Sequence, residues 1–236
     1  MFIIGGNAAG VLNKKRQFLR NISIFKPAAY LIQESKVTHK NRVEVTDYVI
    51  FEHVRKTSGG GGVLTAIHRA LDPINVGEDT DGEEIVVVEL NLARSKMRLI
   101  NGYGPQETEN QEIKKNFFKR LDLEIKRAKI SGSLICIEMD SNSKLGPSII
   151  PDDPHPQSPN GKLLGSVIEE NNLKVLNGSP ICSGTITRQR NTINNTEKSI
   201  IDHFIVCEDM YAYVVKLQID EERKYCLTKF TKKNWK

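Results

Sequence analysis

The sequence predicts an α+β protein in which two β-sheets pack face to face with helices outside them, a four-layer α/β/β/α arrangement. Short apolar runs of strand character outnumber helical segments, and they fall in consecutive groups on either side of one long amphipathic helix. The size agrees: 236 residues, 39% hydrophobic and 27% charged, suffice for one large core at ordinary soluble-protein values. One domain over residues 1–236 is expected.

Residues 1–6 and 28–33 are apolar and read as strands. Between them Leu12, Leu19 and Ile22 recur at roughly helical spacing, and Pro27 marks the break before the second strand. Residues 48–54, 63–68, 85–92 and 97–103 read as four more strands, separated by Gly, Asp and Pro clusters. The clearest helix covers about 107–129. Ile113, Phe117, Leu121 and Ile125 recur every four residues and define a packing face, while Lys and Arg crowd the opposite face and the last turn. A strand over 134–139 leads into Asp140, a Pro/Ser/Asp-rich loop over 146–160 follows, and a second amphipathic helix covers 161–171. The remaining apolar runs, 173–176, 185–188, 199–207, 211–219 and 225–231, are strand-like.

Composition excludes several classes. No apolar stretch approaches the length that spans a bilayer. The opening Met1-Phe2-Ile3-Ile4 reaches Gly5-Gly6-Asn7 at once, without a basic leader, so secretion is not expected. Cys136, Cys182, Cys207 and Cys226 are scattered with no close pair, which argues against a zinc site or disulfide frame. An intracellular location, nuclear or cytoplasmic, is expected. A net charge of +5 permits a polyanionic partner without demanding one.

Polar residues at the ends of apolar strands are the first candidates for chemistry, because loops leaving strand ends converge on one pocket. Five places qualify: Asn7, Glu34, Tyr103, the pair Asp140 and Asn142, and Asp202. Taken singly, each has a plain reading as a turn or solvated residue. Asp202 stands apart because it lies between Ile200-Ile201 and Phe204-Ile205-Val206, where a lone carboxylate is costly to bury.

Six local motifs in order resemble the endonuclease/exonuclease/phosphatase superfamily, and most of all the apurinic-type endonuclease domains of non-LTR (LINE-type) retrotransposons. They are Gly6-Asn7-Ala8-Ala9-Gly10, Gln33-Glu34 with Ser35-Lys36, Gly59-Gly60-Gly61-Gly62-Val63, Asn101-Gly102-Tyr103-Gly104-Pro105, Asp140-Ser141-Asn142, and Ser199-Ile200-Ile201-Asp202-His203-Phe204. The resemblance implies a DNase I-like fold and Mg²⁺- or Mn²⁺-dependent hydrolysis of DNA phosphodiesters. Glu34 would then be the metal carboxylate, with Asn7 contacting the metal or phosphate. Asp140 would be the base or water-positioning group, Asn142 a donor to the phosphate, and Tyr103 a hydroxyl on the scissile phosphate or leaving oxygen. Thr185, Arg188 and Ser199 fall where relatives touch DNA, and a downstream reverse transcriptase is an implied partner in the parent element. No membrane partner is expected.

Two departures from the family stand out. Asp202 should orient a histidine in a Ser-Asp-His motif on the last strand, and nothing after Asp202 matches it. His203 adjoins Asp202 and is expected to point to the other face as a partly buried packing residue. The chain is therefore expected to end before its final strand. Glu138-Met139 stands where the family prefers a glycine before the Asp, and a bulky group there is expected to narrow the pocket floor. The competing reading is a catalytically inactive remnant, or a nucleic-acid-binding module of the same fold.

Overall fold

A computed structural model describes residues 1–55, 61–78, 82–191, 196–221 and 225–230. β1 (Phe2–Asn7), α1 (Lys15–Phe25), β2 (Ala29–Gln33), β3 (Tyr48–His53) and β4 (Val63–His68) come first. β5 (Ile74–Asn75), β6 (Ile85–Asn91), β7 (Lys96–Tyr103), α2 (Gln111–Ile130) and β8 (Leu134–Asp140) follow. Then come α3 (Pro159–Glu170), β9 (Leu173–Val175), β10 (Cys182–Ser183), β11 (Arg188–Asn191) and β12 (Thr196–Ser199). β13 (Asp202–Cys207), α4 (Glu208–Tyr211), β14 (Val214–Asp220) and β15 (Tyr225–Phe230) complete the described chain.

The strands form two large sheets, ordered β10-β14-β15-β1-β2-β4-β3 and β5-β6-β7-β8-β13-β9, with β11 and β12 as a separate hairpin. Alternation along the strands divides the apolar residues among three layers. Ile3, Leu31, Val63, Leu99, Cys136, Phe204 and Leu217 meet between the sheets. Ile4, Tyr30, Ile32 and Leu64, one residue out of phase, pack on Phe18 and Ile22 of α1. Ile100, Ile137 and Ile205 face Phe117, Leu121 and Ile125 of α2 and Leu164 and Ile168 of α3. This is the four-layer sandwich expected.

Local chemistry sets the boundaries. α2 begins at Gln111, later than expected, because the Asn110 side chain accepts the Glu112 N–H and caps it there. Ile113 consequently sits in the exposed first turn, 49% accessible, and the buried face is Phe117, Leu121, Ile125 and Ala128. Part of the cationic face of α2 is buried and paired. Lys114 is buried and donates from Nζ to the Glu107 carbonyl, and Arg120 pairs with Glu78 and Glu124. Ser158 caps α3, with Pro159 in its first turn. The strand expected over 185–188 begins only at Arg188, and the run 199–207 is broken at Ile200-Ile201. Thr187 Oγ1 accepts the N–H groups of both Ile201 and Asp202, at 3.0 and 3.1 Å, and so takes them from any ladder.

β1 is paired on both edges, parallel to β2 and antiparallel to β15. Residues 222–224 and 231–236, which flank β15, lie outside the described residues, as do Gly59 and Gly60 of the glycine-rich motif.

Candidate active site

Four strands from the two sheets end at one place. β1 ends at Asn7, β2 at Gln33 just before Glu34, β7 at Tyr103 and β8 at Asp140. β7 and β8 run parallel with Tyr103 opposite Asp140, and antiparallel β13 places Asp202 opposite Asp140. Register alone therefore brings Tyr103, Asp140 and Asp202 to one line across the second sheet. Asn7 and Glu34 face them from the first.

The Asn7 amide joins the two halves. Its Nδ2 donates to Glu34 Oε1 at 2.8 Å and to Asp140 Oδ2 at 2.7 Å, while its Oδ1 accepts the Ala9 N–H at 2.8 Å. Both amide hydrogens thus hold carboxylates, and the Asn7 orientation is fixed by its own turn. Glu34 adopts a left-handed backbone, φ 47°, which turns its side chain out of the strand direction. Its Oε1 also receives the Tyr103 hydroxyl at 3.1 Å, and Gln106 Nε2 donates to that hydroxyl at 3.1 Å. Lys36 Nζ lies 3.7 Å from Glu34 Oε2 at the open rim.

Asp140 and Asn142 share a tight turn. Asn142 has φ 47°, its N–H returns to Asp140 Oδ1 at 3.2 Å, and its Nδ2 donates to the Gly104 carbonyl at 2.8 Å. Gly104 donates in turn to the Asp140 carbonyl at 2.7 Å. A Cβ on Gly104 would come within 2.4 Å of the Ser141 carbonyl oxygen, so only glycine lets the two loops approach this closely.

Burial pushes the Asp140 carboxyl up to about 6; the Asn7 and Asn142 hydrogen bonds oppose that rise, Glu34 adds to it, and the Arg188 charge lowers it. Asp202 is driven well above the ordinary carboxylate range by burial and by Asp140, against the opposing pull of Thr187 and Arg188. Its Oδ1 is buried without a hydrogen-bond partner, and among the described residues no histidine bonds it. Burial and Glu34 raise the Tyr103 hydroxyl, so it stays protonated as a donor.

The arrangement suits a hard cation. Glu34 and Asp140 lie on either side of one neutral amide, and the Glu34 charge makes ionisation of Asp140 costlier in a setting where oxygen donors predominate. Among the described residues no group of three His, Cys, Asp or Glu side chains gathers for a metal. Glu34 is the carboxylate such an ion would use; the Asn7 amide turns its nitrogen to the two carboxylates and its oxygen to the Ala9 N–H.

Several residues gain a place that the sequence did not indicate. Gln33 and Asn101, strand-end motif residues, are wholly buried between the sheets. Gln33 Nε2 donates to Asn101 Oδ1 at 2.7 Å and to Glu138 Oε2 at 2.5 Å, and Asn101 Nδ2 reaches Leu64 O at 3.1 Å and Thr65 Oγ1 at 3.0 Å. The expected narrowing at Glu138-Met139 does not arise. Met139 points to the α2 layer, and Glu138 lies under Gly5, whose missing Cβ leaves it room. Burial, reinforced by Asp202, raises Glu138 well above the carboxylate range.

His203, expected to be a partly buried packing residue, is fully buried and bonded to Ser141. Arg188 is exposed where the β11–β12 hairpin begins, opposite Ser199 in the register. Ser199 is only 3% exposed, so it holds the hairpin root and does not face solvent. The Thr185 N–H is engaged by Glu221 at 2.7 Å.

No protein-family model and no curated protein matches this sequence. Solved structures do. The endonuclease domain of TRAS1, a telomere-specific non-LTR retrotransposon, superposes with a TM-score of 0.76 at 17% identity, covering 98% of this chain and 99% of that one. The chain has the DNase I-like fold. The same fold is seen in a 3′ phosphatase, NExo, from Neisseria bound to a product DNA hairpin, with a TM-score of 0.77, 15% identity and coverage of 98% and 99%. An AP endonuclease from Leishmania major gives a TM-score of 0.76 at 16% identity, covering 96% of this chain and 86% of that one. Within this fold the convergent strand ends form the cleft just described. Among the described residues, no helix is long and apolar enough to cross a membrane.

Proposed function

We propose that this chain is a divalent-metal-dependent phosphodiesterase that nicks DNA, the endonuclease part of a retrotransposon whose parent element also carries a reverse transcriptase. The Asn7 amide bridging Glu34 and Asp140 carries this reading, because it sets a metal carboxylate and a candidate base at fixed spacing across the two sheets. A bound Mg²⁺ or Mn²⁺ would neutralise charge on the phosphoryl oxygens.

The chain's own groups do the rest. Glu34 would hold the ion, and Asn7 beside it would contact the metal or the phosphate. Asp140, kept by burial near the pH at which it can take a proton, positions and deprotonates the attacking water. Tyr103, a retained proton donor, is aimed at the same spot and supplies a hydrogen bond to the phosphate or leaving oxygen once it releases Glu34. Asn142 Nδ2 gives one hydrogen to the Gly104 carbonyl and would donate the other to the phosphate. Arg188 and Thr185 meet the DNA backbone beside the hairpin, with Ser199 supporting Arg188 from behind.

A second reading is favoured by one observation: among the described residues Asp202 Oδ1 has no partner, so the group it would orient in relatives is not supplied by a described histidine. On that reading the fold binds DNA without cutting it. Conversion of supercoiled plasmid to open circles in Mg²⁺ or Mn²⁺, abolished by chelator and by Asp140→Asn, supports the nuclease. Duplex binding with no conversion at high protein concentration supports the binding module.

A further inference from the structure

We propose that His203 is a positioning residue that fixes the Asp140-Ser141-Asn142 turn through the Ser141 hydroxyl. The inference rests on the nuclease reading and extends it to a side chain on the far face of the sheet.

β13 begins at Asp202, which faces the cleft between the sheets. One residue on, His203 faces the opposite side and is wholly buried. Its Nδ1 lies 2.9 Å from Ser141 Oγ. Ser141 Oγ is also 2.9 Å from the Ile201 carbonyl and 2.5 Å from Ser143 Oγ, and it accepts the Ser143 N–H at 3.2 Å. The Ser141 backbone N–H donates to the same Ile201 carbonyl at 2.9 Å. Every one of these contacts grips the residue between Asp140 and Asn142. Gly104 presses on the Ser141 carbonyl from the other side, and Asn142 is held in a left-handed conformation. The turn is thus clamped from two directions, and His203 is the side-chain half of the clamp.

We assign the hydroxyl hydrogen to the Ile201 carbonyl, 2.9 Å away, which can only accept. On that assignment His203 carries its hydrogen on Nδ1 and donates to Ser141. Burial holds the ring neutral, far below its ordinary range at about 3. This leaves Nε2 a bare lone pair in an apolar layer, without a partner among the described residues. An unpaired buried nitrogen is a stability cost that Leu or Phe at this position would avoid. Its presence is explained by what Nδ1 does at the turn.

The test compares His203→Leu, which deletes both nitrogens at similar volume, with His203→Asn, whose amide can reproduce the Nδ1 donor. Expected for His203→Leu are a melting temperature equal to or above wild type, plasmid-nicking kcat lower on the order of 10-fold with KM within about twofold, and faster amide exchange at Ser141 to Ser143. His203→Asn should recover most of the kcat and the slow exchange. Wild-type kcat and exchange in His203→Leu overturn the proposal. A lower melting temperature with unchanged kcat also overturns it, since His203 would then be structural only. If the wild-type chain nicks nothing in Mg²⁺ or Mn²⁺, the nuclease reading fails by itself, and the exchange comparison alone decides His203: unchanged exchange in His203→Leu overturns it.

Discussion

At Asp140 three influences meet: burial, a negative neighbour in Glu34, and two hydrogen bonds that oppose them. Burial wins, and the carboxyl sits at about 6, against an ordinary value of 3.8. A base must be ionised to take a proton from water. At limiting metal, nicking by the wild-type chain should therefore fall as pH drops through about 6, approaching tenfold per unit below it. Saturating Mg²⁺ should move that limb to lower pH, because added positive charge favours the carboxylate. A rate flat between pH 5 and 7 at limiting metal would remove Asp140 from the role of base. That Glu34, Tyr103, Asp140 and Asn142 come together was legible in the sequence because each lies at or just beyond the end of an apolar strand. His203 was not, because its meaning comes from Ser141, 62 residues away, and nothing in sequence spacing records that contact.

The elements were legible to the extent that their boundaries follow apolar periodicity. The β7 and β8 strands and the buried face of α2 emerged from alternation and four-residue spacing. The hairpin of β11 and β12 did not, since its residues are polar on both faces and Thr187 breaks the run by capping Ile201 and Asp202. Two predictions belong to this scale. Asn101 ties β7 to β2 and β4 across the core, so Asn101→Ala leaves Gln33 and Thr65 underserved in a dry interior. It should cost about 1–3 kcal/mol, read as a lower urea midpoint at unchanged m-value. Arg188, exposed on the hairpin, should contribute one phosphate contact. Arg188→Ala should then lower the slope of log K against log salt for duplex binding by about 1, with little sequence dependence. An unchanged slope would take the hairpin out of the DNA interface.

Across the whole molecule, three buried acids share the cleft and the core beneath it. Asp140, Asp202 and Glu138 all have carboxyls raised above the unfolded value, so the folded state binds protons more tightly. Stability from these groups is complete below about pH 4 and is lost as pH rises through their folded values. His203, lowered to about 3, acts in the opposite sense. Its share is lost as pH falls from 6.5, and it partly offsets the acids in acidic buffer. Near neutral pH Asp140, at about 6, is ionised, and its negative charge stands in the cleft. Millimolar Mg²⁺ should raise the melting temperature of the metal-free chain at pH 7.5 by several degrees and do much less at pH 5. An equal shift at both pH values would argue that the ion binds elsewhere.

The sandwich itself was readable from the alternation of strand groups around α2, and the site follows from its register. The balance of buried charge was not readable, because burial is a property of the packed whole. The most direct test of the central claim compares plasmid nicking by the wild-type chain and by Glu34→Gln in the same Mg²⁺ or Mn²⁺ buffer. The site described here predicts chelator-sensitive conversion by wild type and at least about a 100-fold slower rate for Glu34→Gln. Equal rates for the two proteins, or conversion that persists in chelator, would contradict it.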